Sequence, residues 1–415
     1  MHFVKKYNYL VKLIINNINM KYKNLFLVLW LITIWSLFFA IYKYFMWWIF
    51  KTEIITLQYI SWYLSIGTIW SFIIGWLLYE LFREKKYHFF ISIASILCLL
   101  SILFFVNSDI EKTLLVGGIT LILWFFYWLW GVLRNILIAW QIQETWLWDT
   151  KVNGIANIFF ITSIIIWSIV WWIIAEKLNL IWIWIIIWIL ITWLMIWTLF
   201  SYKNIKESIS YKQKIVEYKN NYLKDFIFIF KKYWIIMIFV SLIITIGTIL
   251  SQKAIEYFVE FWGKTSSWAA IILLYSAIWS IIWNIISMKI TKNRWTYFLI
   301  FSILFAICCF LFPYFFSSFT YTSLLAWIAW IFFWMSYNLL EAYFFKKIWD
   351  DNKKPYGAVS LWVVTSIVIA IMMFWVDIIG KWFWINGVYY FMGIILCIIG
   401  VSIFILKTKL DSYEK

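Results

Sequence analysis

The sequence predicts an all-α polytopic membrane protein, with twelve transmembrane helices in two pseudo-symmetric six-helix halves. Three observations carry this reading. Hydrophobic residues make up 66% of the 415-residue chain and charged ones only 13%, whereas a soluble domain runs nearer half apolar and a quarter charged. The apolar residues are gathered into long runs, each able to cross about 30 Å of hydrocarbon as a helix. A long basic connection near the middle divides those runs six and six. A soluble enzyme, a nucleic-acid-binding module and a disordered chain are excluded on the same grounds.

The first six spans run roughly over 24–44, 54–80, 88–107, 113–139, 154–176 and 179–202. The second six run roughly over 234–258, 266–288, 296–318, 320–345, 357–379 and 385–406. Runs of this length are too long for strands, and the alternation of a membrane barrel is absent. The chain therefore divides into a basic N-terminal extension (1–23), an N-terminal half (24–202), a basic linker (203–233), a C-terminal half (234–406) and a tail (407–415). The extension reads as a surface-lying helix or as the product of an upstream start, Met20 opening a cleaner terminus.

Charge sets the orientation. With the N-terminus inside, the outer loops carry only Lys43, Lys51, Lys112, Lys177, Lys253, Lys264 and Lys381 of the 35 basic residues. All the others fall inside. Such a bias places both termini in the cytoplasm, and the net charge of +16 is then mostly topology. No nucleic-acid partner is needed to explain it. The four cysteines, Cys98, Cys308, Cys309 and Cys397, lie within apolar spans at no metal or disulfide spacing. His2 and His88 have no ligand partner nearby in sequence, so neither a metal nor a cofactor is expected.

The halves resemble each other. Ile69-Trp70-Ser71 leads to the basic turn Arg83-Glu84-Lys85-Lys86, and at a constant offset Ile278-Trp279-Ser280 leads to Lys292-Asn293-Arg294. Gly154 precedes Thr162-Ser163 by the interval that separates Gly357 from Thr365-Ser366. Duplicated six-helix halves are the reading.

Three motifs add a resemblance. The turn after the second span, Gly75-Trp76-Leu77-Leu78-Tyr79-Glu80-Leu81-Phe82-Arg83-Glu84-Lys85-Lys86, resembles the cytoplasmic loop motif of the major facilitator superfamily. Glu80 falls on the family's acid and Lys85 and Lys86 on its terminal basic pair. Leu81 and Arg83 depart from the family's Arg and second Gly. The segment from Arg134 to Asp149 is similar to the family's fourth-span segment, with Glu144 and Asp149 on its two acids. Arg134 needs a partner or a wet cavity at its depth. In the fifth span, Trp167-Ser168-Ile169-Val170-Trp171-Trp172 keeps the spacing of the family's Gly-Pro-x-x-Gly-Gly export motif.

The resemblance implies a secondary active transporter in the bacterial inner membrane. It would work by alternating access as a monomer within the lipid bilayer, on a small-molecule substrate, with the proton as coupling ion. It also implies a cytoplasmic gate built from Glu80, Lys85, Lys86, Arg134, Glu144 and Asp149. The fifth-span pattern, Trp167, Ser168, Trp171 and Trp172, implies export of small amphipathic or drug-like molecules. The alternatives are an uptake symporter for a small nutrient such as a sugar, a non-transporting membrane sensor, and a polytopic membrane enzyme. Against the enzyme, no paired-acid or His-Asp motif at catalytic spacing occurs and only two His exist. With no phosphate-cradling loop, transport must draw on a gradient or on the substrate itself.

Polar groups inside spans are the default pathway candidates. They are Gln58, Gln252, Glu256, Asn284, Asn338 and Glu341. Glu341 is the first choice for proton coupling, because a carboxyl removed from water can exchange a proton near neutral pH. The competing placement puts it solvated at the cytoplasmic mouth, or paired with Lys346.

Tryptophan and glycine counts are the final anomaly. There are 35 Trp and 13 Gly, whereas ordinary usage gives roughly 7% Gly. Trp76, Trp140, Trp167, Trp171, Trp172, Trp279, Trp283 and Trp295 stand where the family carries Gly. Some bacteria read UGA as Trp and others as Gly. Reading the second kind of gene with the first kind's table would produce this pattern, and would crowd Trp into helix seams rather than the headgroup belt.

Overall fold

The computed structural model describes residues 149–177, 222–262, 266–290, 293–350 and 354–412, with positions 73 and 189 in isolation. Six helices occupy these residues: α1 (Asp149–Lys177), α2 (Tyr222–Trp262), α3 (Ser266–Ser287), α4 (Arg294–Phe315), α5 (Phe319–Asp350) and α6 (Lys354–Ser412). Five stretches are long and apolar enough to cross a membrane: Lys224–Leu250, Arg294–Phe315, Phe319–Lys347, Val359–Val376 and Ile378–Lys407. The expected spans before residue 149, and the one over 179–202, lie outside the described residues.

Helices are what these sequences must form. Hydrocarbon offers the backbone no hydrogen-bond partner, so each segment satisfies its own amides. Proline, which removes a donor, is confined to ends. Pro355 lies in the first turn of α6, where its missing N–H has no helical acceptor to lose, whereas Pro313 lies in the last turn of α4 and leaves the Cys309 carbonyl without its helical donor. One boundary differs from the sequence reading. Helix α2 begins at Tyr222, well before residue 234, because hydropathy marks only the apolar part of a helix while its hydrogen-bond ladder runs on through polar sequence. The two expected spans at 357–379 and 385–406 are both present within α6, as two helices that meet at a kink at Trp384.

Helix α5 is the hub. It packs against α1, α2, α3, α4 and α6, and 67% of its membrane stretch is buried, against 39% for α4. Around it, α1 lies along α3, while α6 lies along both α2 and α4. Gly247 lets α2 approach α5, since a Cβ there would collide with the Phe333 ring.

The repeat has a structural counterpart. Thr162 and Ser163 donate to the carbonyls of Ile158 and Phe159, and Thr365 and Ser366 donate to those of Leu361 and Trp362. Both hydroxyl pairs thus satisfy themselves on the preceding turn. With its own proton committed to Leu361, Thr365 accepts from Ser241, 2.9 Å away, and so ties α6 to α2.

Tryptophan placement follows the expectation in part. Trp295 is buried edge-on against Tyr343 of α5, and Trp334 is buried beside Phe160 of α1. Trp279 instead faces outward. Ala277, Ser280, Asn284 and Ser287 make up the buried face of α3 among its described side chains.

Candidate functional site: a buried amide seam between α1, α3 and α5

Asparagine is a poor interior helix residue, because its amide competes for the backbone, and in an apolar span it must find a partner. Four fully buried asparagines, Asn153, Asn157, Asn284 and Asn338, lie on α1, α3 and α5. Three of them belong to one chain of hydrogen bonds. Asn153 Nδ2 donates to Asn338 Oδ1 at 2.9 Å, with the Asn338 carbonyl also in reach at 3.5 Å. Asn338 Nδ2 donates to Ser287 Oγ at 2.6 Å. Ser287 Oγ donates to the Asn284 carbonyl, and Asn284 Nδ2 donates to the Ser280 carbonyl, each at 2.9 Å.

The chain thus runs from the start of α1, through α5, to the end of α3. Its direction is consistent: the Asn338 amide and the Ser287 hydroxyl each receive once and give once, while the Asn153 and Asn284 amides only give. Two acceptors are left over: Asn153 Oδ1 and Asn284 Oδ1 are buried and accept no hydrogen bond. Gly154 makes the approach of the helices possible, because a Cβ there would meet the Met288 side chain and sit 3.3 Å from Asn338 Nδ2.

Glu341 lies one turn beyond Asn338 on α5 and is fully buried. Tyr337 donates its hydroxyl to Glu341 Oε1. Burial removes the solvated placement. Cationic groups of α4 and α5 meet near the same end of α5. Arg294 and Lys347 each lie over the ring of the buried Tyr343, at 5.7 and 5.6 Å from its centroid. Lys347 is itself buried, and its carbonyl accepts from Tyr233 of α2 at 3.4 Å.

Of the sequence-derived candidates, Asn284, Asn338 and Glu341 are brought to one place. Asp149 is the first residue of α1. Trp167, Ser168, Trp171 and Trp172 lie further along α1, and Gln252 and Glu256 lie on α2, with side chains outside the described residues. Gln58, Glu80, Lys85, Lys86, Arg134 and Glu144 lie outside them altogether. The sequence reading missed Asn153, Ser287 and Tyr337. The signal for the first was the pair Asn153 and Asn157, one turn apart on the border of an apolar run. Among the described residues no cluster of His, Cys, Asp or Glu could hold a metal.

No family model matches the sequence, and no curated protein matches it. Solved structures do. A crystal structure of the E. coli fucose:proton symporter FucP superposes with a TM-score of 0.63 at 14% identity, over 93% of this chain and 98% of that one. FucP in the outward conformation gives 0.64 at 13% identity over the same shares. The nucleoside transporter NupG gives 0.57 at 13% identity, over 96% of this chain and 99% of that one. The chain has the fold of the major facilitator superfamily.

Proposed function

We propose that this protein is a secondary active transporter working by alternating access, and that the Asn153–Asn338–Ser287 chain is the latch that closes its cytoplasmic side. One observation carries the proposal: a directed, fully buried hydrogen-bond chain joins α1, the fifth expected span, to α3 and α5, the eighth and tenth. In a protein of two rocking halves, such a chain exists in one state and is broken in the other. The basic residues Lys289, Arg294, Lys346 and Lys347 at this end support a cytoplasmic location. The two idle acceptors, Asn153 Oδ1 and Asn284 Oδ1, would gain water when the seam opens, which keeps the two states close in energy.

Glu341 is the proton carrier in this reading. It is buried one turn from the latch, so that a change in its charge reaches Asn338 through a rigid helix. The fifth-span pattern favours export of amphipathic molecules. The likeness to a fucose:proton symporter and a nucleoside transporter favours uptake of a small polar solute with protons, and the two directions stand level.

The test is flux into proteoliposomes holding the purified full-length chain, under an imposed pH gradient of either sign. Neutral sugars, nucleosides and cationic dyes are the probes. Flux that follows the gradient in one sense names the direction. Glu341→Gln should cut gradient-driven flux by about tenfold or more, equivalent to about 1.4 kcal/mol, while leaving substrate exchange in place. A well-folded protein that moves none of the probes under either gradient would remove the transporter reading.

A further inference from the structure

Trp384 stands in a backbone conformation that a tryptophan does not choose. Its φ is 57° and its ψ −172°. There a Cβ crowds the neighbouring peptide groups, and the region belongs almost wholly to glycine. A strained residue persists when its surroundings hold it in place, yet the Trp384 side chain is 71% exposed. Packing on the indole therefore does not impose the geometry. Among the described residues, the other non-glycine with positive φ is Asn293, at φ 52° and ψ 33°, a residue type that tolerates the left-handed helical region.

A second position errs in a different way. Trp283 of α3 buries its indole N–H with no hydrogen-bond partner, and an unpaired donor in an apolar interior is costly. Neither fault would exist if the residue had no side chain. The composition points the same way, with Trp at 35 and Gly at 13.

We infer that residues 384 and 283 are glycine in the protein as its own cell makes it, each specified by a UGA codon reassigned from stop to glycine. The junction at 384 is then an unstrained, pliant corner between the two parts of α6. At 283, the α3 helix loses a bulky ring and an unpaired donor beside Asn284, a member of the amide seam. The inference is independent of what the protein transports.

Mass spectrometry of the full-length protein from its native cells tests it. Trypsin cuts after Lys264 and Lys289 and after Lys381 and Lys407, which isolates residues 265–289 and 382–407. The expected fragment spectra carry a glycine residue mass at 283 and at 384. A tryptophan mass at either position overturns the inference.

Discussion

At the scale of single residues, Asn338 has the most to lose. It gives one hydrogen bond and receives another across two helix boundaries. Interhelical hydrogen bonds in membranes average about 0.6 kcal/mol and reach about 1.7 kcal/mol. A double-mutant cycle on Asn153→Ala and Asn338→Ala should therefore return a coupling of that size in an unfolding measurement. Strictly additive losses would show that the bond contributes nothing. Asn284, Asn338 and Glu341 were legible as candidates because a polar group inside an apolar run is costly wherever it ends up. Asn153 and Ser287 were not. The first lies just before the apolar run, the second is small and ends a helix, and only the folded chain shows that both face Asn338.

At the scale of elements, the contact of α1 with α3 is decided by one glycine. Gly154 has no room for a larger side chain beside Met288 and Asn338. Gly154→Leu should wedge the two helices apart on the side of the amide seam. Spin labels placed near the start of α1 and the end of α3 should report a longer, broader distance distribution than in the parent protein. An unchanged distribution would mean that α3 yields elsewhere and that the seam is softer than drawn. The helices themselves were well anticipated from hydropathy, since apolar length and the need to satisfy the backbone leave little choice. Their ends were not. The Tyr222 start of α2 lies in sequence rich in Lys, with Lys224, Lys231 and Lys232 exposed on the helix, where apolar runs give no information. The two spans within α6 were anticipated, because the polar residues Lys381 and Asn386 mark the break that the kink at Trp384 makes between them.

At the scale of the whole molecule, orientation and function stand together. The distribution of Lys and Arg predicts that a reporter fused after Lys415 is cytoplasmic, and enzyme fusions active on only one side of the membrane would show it. A C-terminal reporter found outside would turn the amide seam into an external gate and reverse the meaning of the Glu341 experiment. The hydroxyl pairs at Thr162-Ser163 and Thr365-Ser366, on which the expectation of a repeat rests, are equivalent in their hydrogen bonding. Substrate was not legible, because recognition depends on which side chains meet across the bundle rather than on any local pattern.

The central position of α5 also bears on how the protein is made. A helix surrounded by five others can afford polar residues, and α5 is the least apolar of the five membrane stretches. It is consequently the span least able to leave the translocon for lipid unaided. The turn joining it to the strongly apolar α4 is short, with Ser318 donating back to Phe315 and Thr322 to Ser318. The pair should therefore enter the bilayer together as a hairpin. In a glycosylation-site insertion assay, α5 presented alone should integrate poorly, whereas α4 and α5 presented together should integrate fully. Synthesis would then impose an order on assembly. The hub is escorted into the membrane by its neighbour in the chain, and the surrounding helices gather on it afterwards.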